Sequence, residues 1–342
     1  MSAEPVKQGV SDIRRAARLS VAPMMDWTDR HCRVFHRGIS RQALLYTEMV
    51  TAPALVRGGA LHLLDHDPVE HPVALQLGGS DPGELAQAAR LGREAGYDEI
   101  NLNCGCPSDR VQSGTFGAVL MKHPATVVDC VKAMMDATGA EVTVKCRIGV
   151  DDQDPEEVLP EFLGQLAQAG CKRIIVHARK AWLKGLSPKE NREIPPLDYD
   201  LVRRMRAQFP GLHLSINGGV ENLEQAQALL EDGFDGVMIG RAAYHKPWEC
   251  LAGADARLWP DRPASGITDR AAAARAMLPY IERHLATGGK LGQVTRHMLG
   301  LFAGQPGARR WRQILSEGAS DPKAGPELVE AALAAVTPQE VI

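Results

Sequence analysis

The stretch Glu99-Ile-Asn-Leu-Asn-Cys-Gly-Cys-Pro-Ser108 contains two side chains that could take part in chemistry, Asn103 and Cys106. Its first half is a short apolar run with alternating Ile and Leu, which predicts a buried strand that ends at Gly105 and Pro107. In parallel α/β folds the active site lies at the carboxyl ends of the strands. Free cysteines are usually buried and inert, so this stretch alone leaves a chemical role and an incidental thiol equally open.

Glycine turns follow two later apolar runs. Gly218 and Gly219 come after one of them, and Gly240 and Arg241 come after the next. Glycine lets backbone N–H groups approach an anion closely, and an arginine adds a fixed positive charge. If only one of these pairs were present, a tight strand-to-helix turn would be enough to explain its glycine. Because both pairs follow the last two runs, where barrels of alternating strands and helices bind phosphate, we expect a phosphate group there.

Three further polar residues stand in or beside apolar runs: Gln76, Lys145 and His177. A lysine inside a barrel strand is costly unless an anion pairs with it, and a phosphate or a reduced flavin ring would serve. The alternative is a lysine that reaches out at the rim. A structural hydrogen bond explains His177 equally well. Gln76 suits the edge of a heterocycle because its amide both donates and accepts.

The elements that position these residues recur regularly along the chain. Eight short apolar runs predict strands at Leu19–Met25, Leu44–Val50, Pro72–Gly78, Glu99–Gly105, Val142–Gly149, Arg173–Arg179, His213–Gly219 and Gly236–Ala242. Amphipathic segments between them predict helices, among them Pro82–Ala95, Pro124–Thr138, Pro155–Ala169, Leu197–Phe209 and Asn222–Asp232. Eight alternating units predict the α/β class and a (β/α)8 TIM barrel.

The pattern changes after Trp248. The segment Leu258–Gly266 is rich in Pro and Gly and reads as a linker. Helical patterns alone follow it, at Thr268–Thr287, Leu291–Ala303, Ala308–Glu317 and about Pro326–Ala335. We therefore predict two domains, a catalytic barrel over residues 1–258 and a small all-helical domain over residues 259–342.

Composition excludes several classes of protein. The 342 residues are 44% hydrophobic and 24% charged, as in ordinary globular proteins. No apolar run reaches the roughly 20 residues of a membrane helix, and the amino terminus lacks the apolar core of a signal peptide. The seven cysteines are scattered without the spacing of a zinc site. We expect a cytoplasmic protein with no metal and no membrane partner, and no protein partner can be inferred.

The net charge of −3 gives no global sign of nucleic-acid binding, so RNA would have to be bound by local basic patches. Arg309 and Arg312 are three residues apart and share a helix face, whereas Arg310 points elsewhere. With Arg296 and Lys290 they form the notable basic cluster of the helical part. A solvated surface is the simpler explanation of such a cluster.

The long segment Lys180–Leu197 follows the sixth predicted strand and exceeds the roughly 2–6 residues of an ordinary strand-to-helix connection. It carries Lys184, Lys189 and Arg192 near the expected mouth of the barrel. A solvated lid and a loop that contacts RNA explain its length and charge equally well. Trp182 suits stacking on a base, and packing explains it equally.

In its motifs the chain resembles the tRNA-dihydrouridine synthases, and within them the A-type subfamily that acts on the D-loop. The matching motifs occur in order over roughly residues 19–316: Ala22-Pro-Met-Met-Asp-Trp-Thr-Asp29, Gln76-Leu-Gly-Gly79, Asn101-Leu-Asn-Cys-Gly-Cys-Pro-Ser108, Val144-Lys-Cys-Arg147, His177-Ala-Arg-Lys-Ala-Trp-Leu183, Ser187-Pro-Lys-Glu-Asn-Arg192, Ile216-Asn-Gly-Gly219, Gly240-Arg241 and His297-Met-Leu-Gly-Leu-Phe302.

This resemblance implies an FMN-dependent oxidoreductase that reduces the C5–C6 bond of D-loop uridines, at positions 20 and 20a, with NADPH as reductant. It implies that Cys106 donates the proton to C5 and that Asn103 lies near the target base. The residues that it assigns to FMN are Pro23, Met24, Met25, Gln76, Lys145, His177, Asn217, Gly218, Gly219, Gly240 and Arg241. Its further tRNA contacts are Lys189, Arg192, Arg309 and Arg312.

Two other functions remain open at this point. An FMN barrel that oxidises or reduces free pyrimidines, of the dihydroorotate dehydrogenase type, would also use a cysteine or serine, but it would not need a basic helical appendage. A catalytically silent RNA-binding barrel would bind no flavin. Turnover of free uridine and the flavin absorbance of the purified protein distinguish these functions.

Overall fold

Eight parallel strands close into a barrel in the computed structural model, which describes residues 10–108 and 116–336. Each strand pairs with the next one along the chain, and the eighth pairs with the first. The strands are β1 Leu19–Val21, β2 Leu44–Thr51, β3 Val73–Gly78, β4 Glu99–Cys104, β5 Val142–Arg147, β6 Arg173–His177, β7 His213–Asn217 and β8 Gly236–Ile239. The predicted TIM barrel is therefore confirmed.

Helices surround the barrel and continue beyond it. They are α1 Val10–Ala16, α2 Arg30–Ile39, α3 Ala52–Val56, α4 Pro82–Glu94, α5 Pro124–Thr138, α6 Pro155–Gln168, α7 Tyr199–Gln208, α8 Leu223–Glu231, α9 Arg241–His245, α10 Pro247–Leu251, α11 Ala254–Leu258, α12 Arg270–Arg275, α13 Leu278–Ala286, α14 Leu291–Thr295, α15 Ala308–Gly318 and α16 Glu327–Ala334. None of the helices in the described parts of the chain is long and apolar enough to cross a bilayer.

Several strands are shorter than predicted at their carboxyl ends. β1 ends at Val21 rather than Met25, and β7 ends at Asn217 rather than Gly219. Proline at position 23 has no N–H to continue the ladder, and Gly218 leaves the extended conformation with a φ of +108°. Met24, Met25, Gly218 and Gly219 therefore lie in the loops that follow the strands.

The predicted helices of the carboxyl-terminal part are also shorter. The predicted helix Thr268–Thr287 is two helices, α12 and α13, because Pro279 would clash with the carbonyl of Arg275 in a continuous helix. The predicted helix Leu291–Ala303 ends at Thr295. Beyond it the chain turns so that Gly300 approaches the backbone of His245, where a Cβ would lie 2.5 Å from the carbonyl oxygen.

Asp29 joins the barrel to these helices. Its carboxylate caps α2 by accepting from the backbone N–H groups of His31 and Cys32, each at 3.0 Å. It also pairs with Arg296 at 2.5 Å and with His297 at 3.0 Å, both from the segment after α14. Burial by itself would raise the pKa of Asp29. The interactions with His297, with the backbone N–H of Cys32 and with Arg296 outweigh burial, and the pKa of Asp29 is well below its ordinary value.

Asp29→Asn is expected to lower the free energy of unfolding by about 2 kcal/mol at pH 7, because it removes a charge shared by a helix cap, Arg296 and the hydrogen bond to His297. Since the folded-state pKa is depressed, this contribution is present above the unfolded pKa of about 3.9 and fades as the pH falls below it. Urea unfolding at pH 7 and pH 3 measures the difference from wild type. Asp26→Asn, at an exposed neighbouring position, is the control. Equal losses for Asp29→Asn at both pH values would contradict the assignment.

Candidate active site at the barrel mouth

Hydrogen bonds connect five side chains from the base of β4 to its tip. Glu99 accepts from Thr143 Oγ1 at 2.6 Å, and Thr143 accepts from Asn101 Nδ2 at 2.8 Å. Asn101 Oδ1 accepts from Gln76 Nε2 at 2.8 Å, and Gln76 Oε1 accepts from Asn103 Nδ2 at 2.8 Å. All five residues are buried. Because every member is bonded to the next, the network fixes the orientation of the Asn103 amide.

The Asn103 amide in turn shapes the loop of Cys106. Its Oδ1 accepts from the backbone N–H groups of Gly105 and Cys106, each at 3.0 Å. All seven cysteines lie in the described parts of the chain, and six of them are buried whereas Cys106 is half-buried. Burial raises the pKa of Cys104 well above its ordinary value. Cys106 is thus the thiol that a ligand in the mouth can reach.

Lys145 and His177 come from the neighbouring strands β5 and β6, and both adjoin Asn217. Lys145 Nζ donates to Asn217 Oδ1 at 3.0 Å, and burial together with the charge of Arg147 lowers the pKa of Lys145 to about 8. Burial and the neighbouring charges of Arg147 and Lys145 lower the pKa of His177 well below its ordinary value, so the imidazole is neutral at neutral pH. The site therefore holds cations around an uncharged histidine.

Two more cations at the mouth have unsatisfied atoms. The Nε atoms of Arg179 and Arg192 are buried and have no hydrogen-bond partner. Buried cationic groups without partners are costly, and an anionic ligand would offset that cost. Together with Lys145 they make a site that fits an anion such as a phosphate or a flavin.

The loop after β7 has room only for glycine. Gly218 and Gly219 have φ values of +108° and +75°, which favour glycine. A Cβ on Gly218 would lie 2.6 Å from His177 Cδ2, and one on Gly219 would lie 2.5 Å from Leu197 Cδ1. Tyr199 Oη donates to the carbonyl of Gly218 and holds the turn. This backbone cradle lies beside the cationic side chains and supports the predicted anion site.

The loop after β1 meets the loop after β8. The backbone N–H of Ala22 donates to Ile239 O at 2.8 Å, and a Cβ on Gly240 would lie 3.9 Å from Ala22 Cβ. Five of the positions predicted to bind FMN lie in these two loops or directly after them. They are half-buried Pro23, buried Met24, exposed Met25, Gly240 and Arg241. The guanidinium of Arg241 pairs with Glu193 at 2.5 Å, so an anion bound there would share Arg241 with Glu193.

The loop after β6 is ordered around Asn191, a buried residue to which the sequence assigned no role. Its side chain accepts from the backbone N–H of Trp182 at 2.7 Å and donates to the carbonyls of Trp182 and Leu186 at 2.9 and 3.1 Å. Lys189 precedes Asn191 and is exposed, and Arg192 follows it and is half-buried. The loop is thus internally bonded and presents basic side chains at the mouth.

The predicted basic cluster of the helical part is only partly assembled. Arg309 and Arg312 are exposed on one side of α15, and Lys290 is exposed as well. Arg296 does not belong to a free cluster, because its charge is paired with Asp29. In the parts of the chain that the structure describes, no group of three or more His, Cys, Asp or Glu side chains could hold a metal ion.

Comparison with known proteins matches most of the chain. The family model described as "Dihydrouridine synthase (Dus)" matches residues 20–337. A tRNA-dihydrouridine(20/20a) synthase of Xanthomonas axonopodis pv. citri is 58% identical over 320 residues, which are 92% of this chain and 93% of that protein. The protein of the same name from Escherichia coli K12 is 55% identical over 97% of this chain and 94% of its own. Among solved structures, morphinone reductase has a TM-score of 0.50 at 15% identity over 72% of this chain and 86% of that one, a likeness of fold.

Proposed function

The chain belongs to the dihydrouridine synthase family of oxidoreductases, and on this premise we propose that it reduces the C5–C6 bond of uridines in tRNA. The observation that carries the proposal is the half-buried thiol of Cys106, held by Asn103 at the mouth of a barrel whose next strand, β5, supplies Lys145 and Arg147. The names of the relatives support uridines 20 and 20a of the D-loop as the targets.

The cofactor that we propose is FMN, with NADPH as the external reductant. The residues that would hold it are Pro23, Met24, Met25, Gln76, Lys145, His177, Asn217, Gly218, Gly219, Gly240 and Arg241. The glycine cradle and the cations beside it fit its phosphate and its anionic ring. When bound in its reduced form, FMN supplies the hydride for C6 of the uracil.

Cys106 supplies the proton for C5 in this proposal. A thiol carries a proton that it can donate as a general acid. The bonds from Asn103 to the backbone N–H groups of Gly105 and Cys106 set the position of the sulfur. The target base must leave its stack to reach this depth, as in other enzymes that act on a single base.

We propose that residues 1–258 carry the catalytic site and that residues 259–342 bind tRNA together with the loop after β6. A cavity of about 510 Å³ lies between Met25 at the barrel mouth and His284 and Gln293 of the helical part, so a ligand there touches both. The side chains proposed to contact tRNA are Asn103, Lys189, Arg192, Arg309 and Arg312.

The proposed compartment is the cytoplasm. All seven cysteines are free thiols, although Cys104 and Cys146 are register partners on β4 and β5. Unpaired cysteines are typical of proteins that work under reducing conditions.

The function is tested with purified protein, unmodified tRNA transcripts, free uridine and dihydroorotate. We expect a flavin absorbance band and NADPH-dependent dihydrouridine at positions 20 and 20a of tRNA, with no turnover of the free pyrimidines. Turnover of free pyrimidine at a rate equal to that of tRNA would favour the dehydrogenase. Protein that binds no flavin after FMN is added would favour the silent RNA-binding barrel.

The double variant Arg309→Ala/Arg312→Ala is expected to weaken tRNA binding and to reduce the slope of log K against log salt by roughly two, since each residue would neutralise one phosphate. Flavin content should not change. Filter binding or fluorescence anisotropy at several salt concentrations measures the slope. Arg310→Ala, on the same helix but bonded to Gln313, is the control. A double variant with the slope of wild type would remove these residues from the interface.

A further inference from the structure

Arg147, at the tip of β5, links two loops of the mouth that are distant in sequence. Its Nε donates to the carbonyl of Gly105 at 3.2 Å, next to Cys106. Its Nη1 donates to the carbonyl of Asn191 at 2.8 Å and to that of Lys180 at 3.2 Å. The side chain is 3% exposed. One guanidinium therefore fixes the loop of the thiol and both ends of the segment that carries Trp182 and Lys189.

Within residues 10–108 and 116–336, the hydrogen-bond partners of Arg147 are backbone carbonyls, not carboxylates. A buried cation that bonds only to neutral dipoles lacks the partner that usually compensates its charge. Two other buried arginines do have such a partner, since Arg33 pairs with Glu70 and Arg173 pairs with Glu99. The charge of Arg147 therefore remains available to a negative group that forms nearby.

The nearby group that can become negative is Cys106. Lys145, Arg147 and Arg192 all lie close enough to interact electrostatically with its sulfur. When the S–H bond breaks and the proton forms a bond to C5, the bonding electrons stay on sulfur as a thiolate, which solvent later reprotonates. A thiolate is stabilised by adjacent cations, so these residues favour the release of the proton.

We propose that Arg147 is a positioning residue for the proton transfer: it holds the loop of Cys106 against the loop after β6 and stabilises the charge left on sulfur. The inference deepens the proposed function and rests on it. Lysine cannot replace this residue, because a single ammonium cannot donate in the directions of three carbonyls on two loops as the planar guanidinium does.

Two substitutions separate position from charge. Arg147→Lys keeps the charge but loses the planar set of donors, and Arg147→Gln loses the charge as well. The matched control is Arg37→Lys, because Arg37 is also buried and also donates to backbone carbonyls, those of Ser40, Ala43, Glu70 and Pro72. Arg37 belongs to α2, which lies outside the mouth.

Each holoenzyme is assayed in two ways. The first is single-turnover dihydrouridine formation at saturating tRNA after reduction with NADPH, and the second is alkylation of every cysteine by iodoacetamide against pH, followed by mass spectrometry. We expect both Arg147 variants to form dihydrouridine roughly 10- to 100-fold more slowly with unchanged flavin content. In Arg147→Gln the rate of Cys106 alkylation at neutral pH should fall by up to roughly tenfold, whereas in Arg147→Lys it should stay near that of wild type.

Alkylation of the six buried cysteines shows whether Arg147 has only a structural role. If Cys104 and Cys146 become reactive in the Arg147 variants, the fold has loosened and the inference is overturned. It is also overturned if Arg147→Lys reacts at the rate of wild type, if Arg147→Gln leaves the Cys106 profile unchanged, or if Arg37→Lys causes the same losses. Should wild type form no dihydrouridine at all, the proposed function fails, while the alkylation profiles still decide the contact between Arg147 and Cys106.

Discussion

Cys106→Ala is expected to form dihydrouridine at least roughly 100-fold more slowly than wild type, because removal of a general acid typically costs a factor of 100 to 10,000. The variant should bind FMN and accept electrons from NADPH at the rate of wild type. The reason is positional: the thiol belongs to the loop after β4, whereas the proposed flavin contacts come from other strand tips and loops. Rapid mixing with NADPH measures the flavin, and nucleoside mass spectrometry measures the product.

Cys104→Ala is the matched control for this variant. Cys104 is two residues away, but it is fully buried in the core between the barrel and its helices. Its loss should cost a little stability and leave the rate of product formation within about twofold of wild type. If Cys106→Ala retained full activity, another acid would have to be sought, and the ordering of the loop by Asn103 would have a different purpose.

Lys145→Met is expected to weaken FMN binding or to slow the reduction of the flavin by at least about tenfold, which corresponds to about 1.4 kcal/mol. Methionine retains much of the volume of lysine but removes the charge that an anionic ligand would pair with. Because burial lowers the pKa of Lys145 to about 8, the free site is cationic below about pH 8 and loses that charge above it. FMN affinity of wild type should therefore fall as the pH rises through this value.

Titrations of the apoprotein with FMN between pH 6.5 and 9.5, followed by flavin fluorescence, check this prediction. The Lys145→Met variant should lose the part of the pH dependence that comes from this group. Lys122→Met is the control, since Lys122 pairs with Asp151 at 2.6 Å outside the strands of the barrel. A Lys145→Met variant with the affinity, pH dependence and reduction rate of wild type would remove Lys145 from the flavin site.

The sequence by itself determined the barrel and the identity of most proposed site residues. Short apolar runs alternating with amphipathic segments predict buried parallel strands with helices around them, and this pattern is local. Residues at the ends of such strands must converge on one mouth, so Cys106, Lys145 and His177 could be grouped without coordinates. The turn after β7 could be predicted as well, because glycine adopts a left-handed backbone more readily than other residues do.

Only the tertiary structure decided how charged side chains are paired. Arg296 reads as part of a basic surface, yet it bonds to Asp29, 267 residues away. Arg147 and Asn191 stand in matched motifs without an assigned role. Yet Arg147 bonds to the carbonyl of Gly105 and, across 44 residues, to that of Asn191, and it thereby joins the thiol loop to the loop after β6. The physical reason is that periodicity reports which face of an element is buried, whereas the partner of a long polar side chain depends on distant loops that folding brings within 3 Å. The position of the Cys106 thiol is set by such contacts.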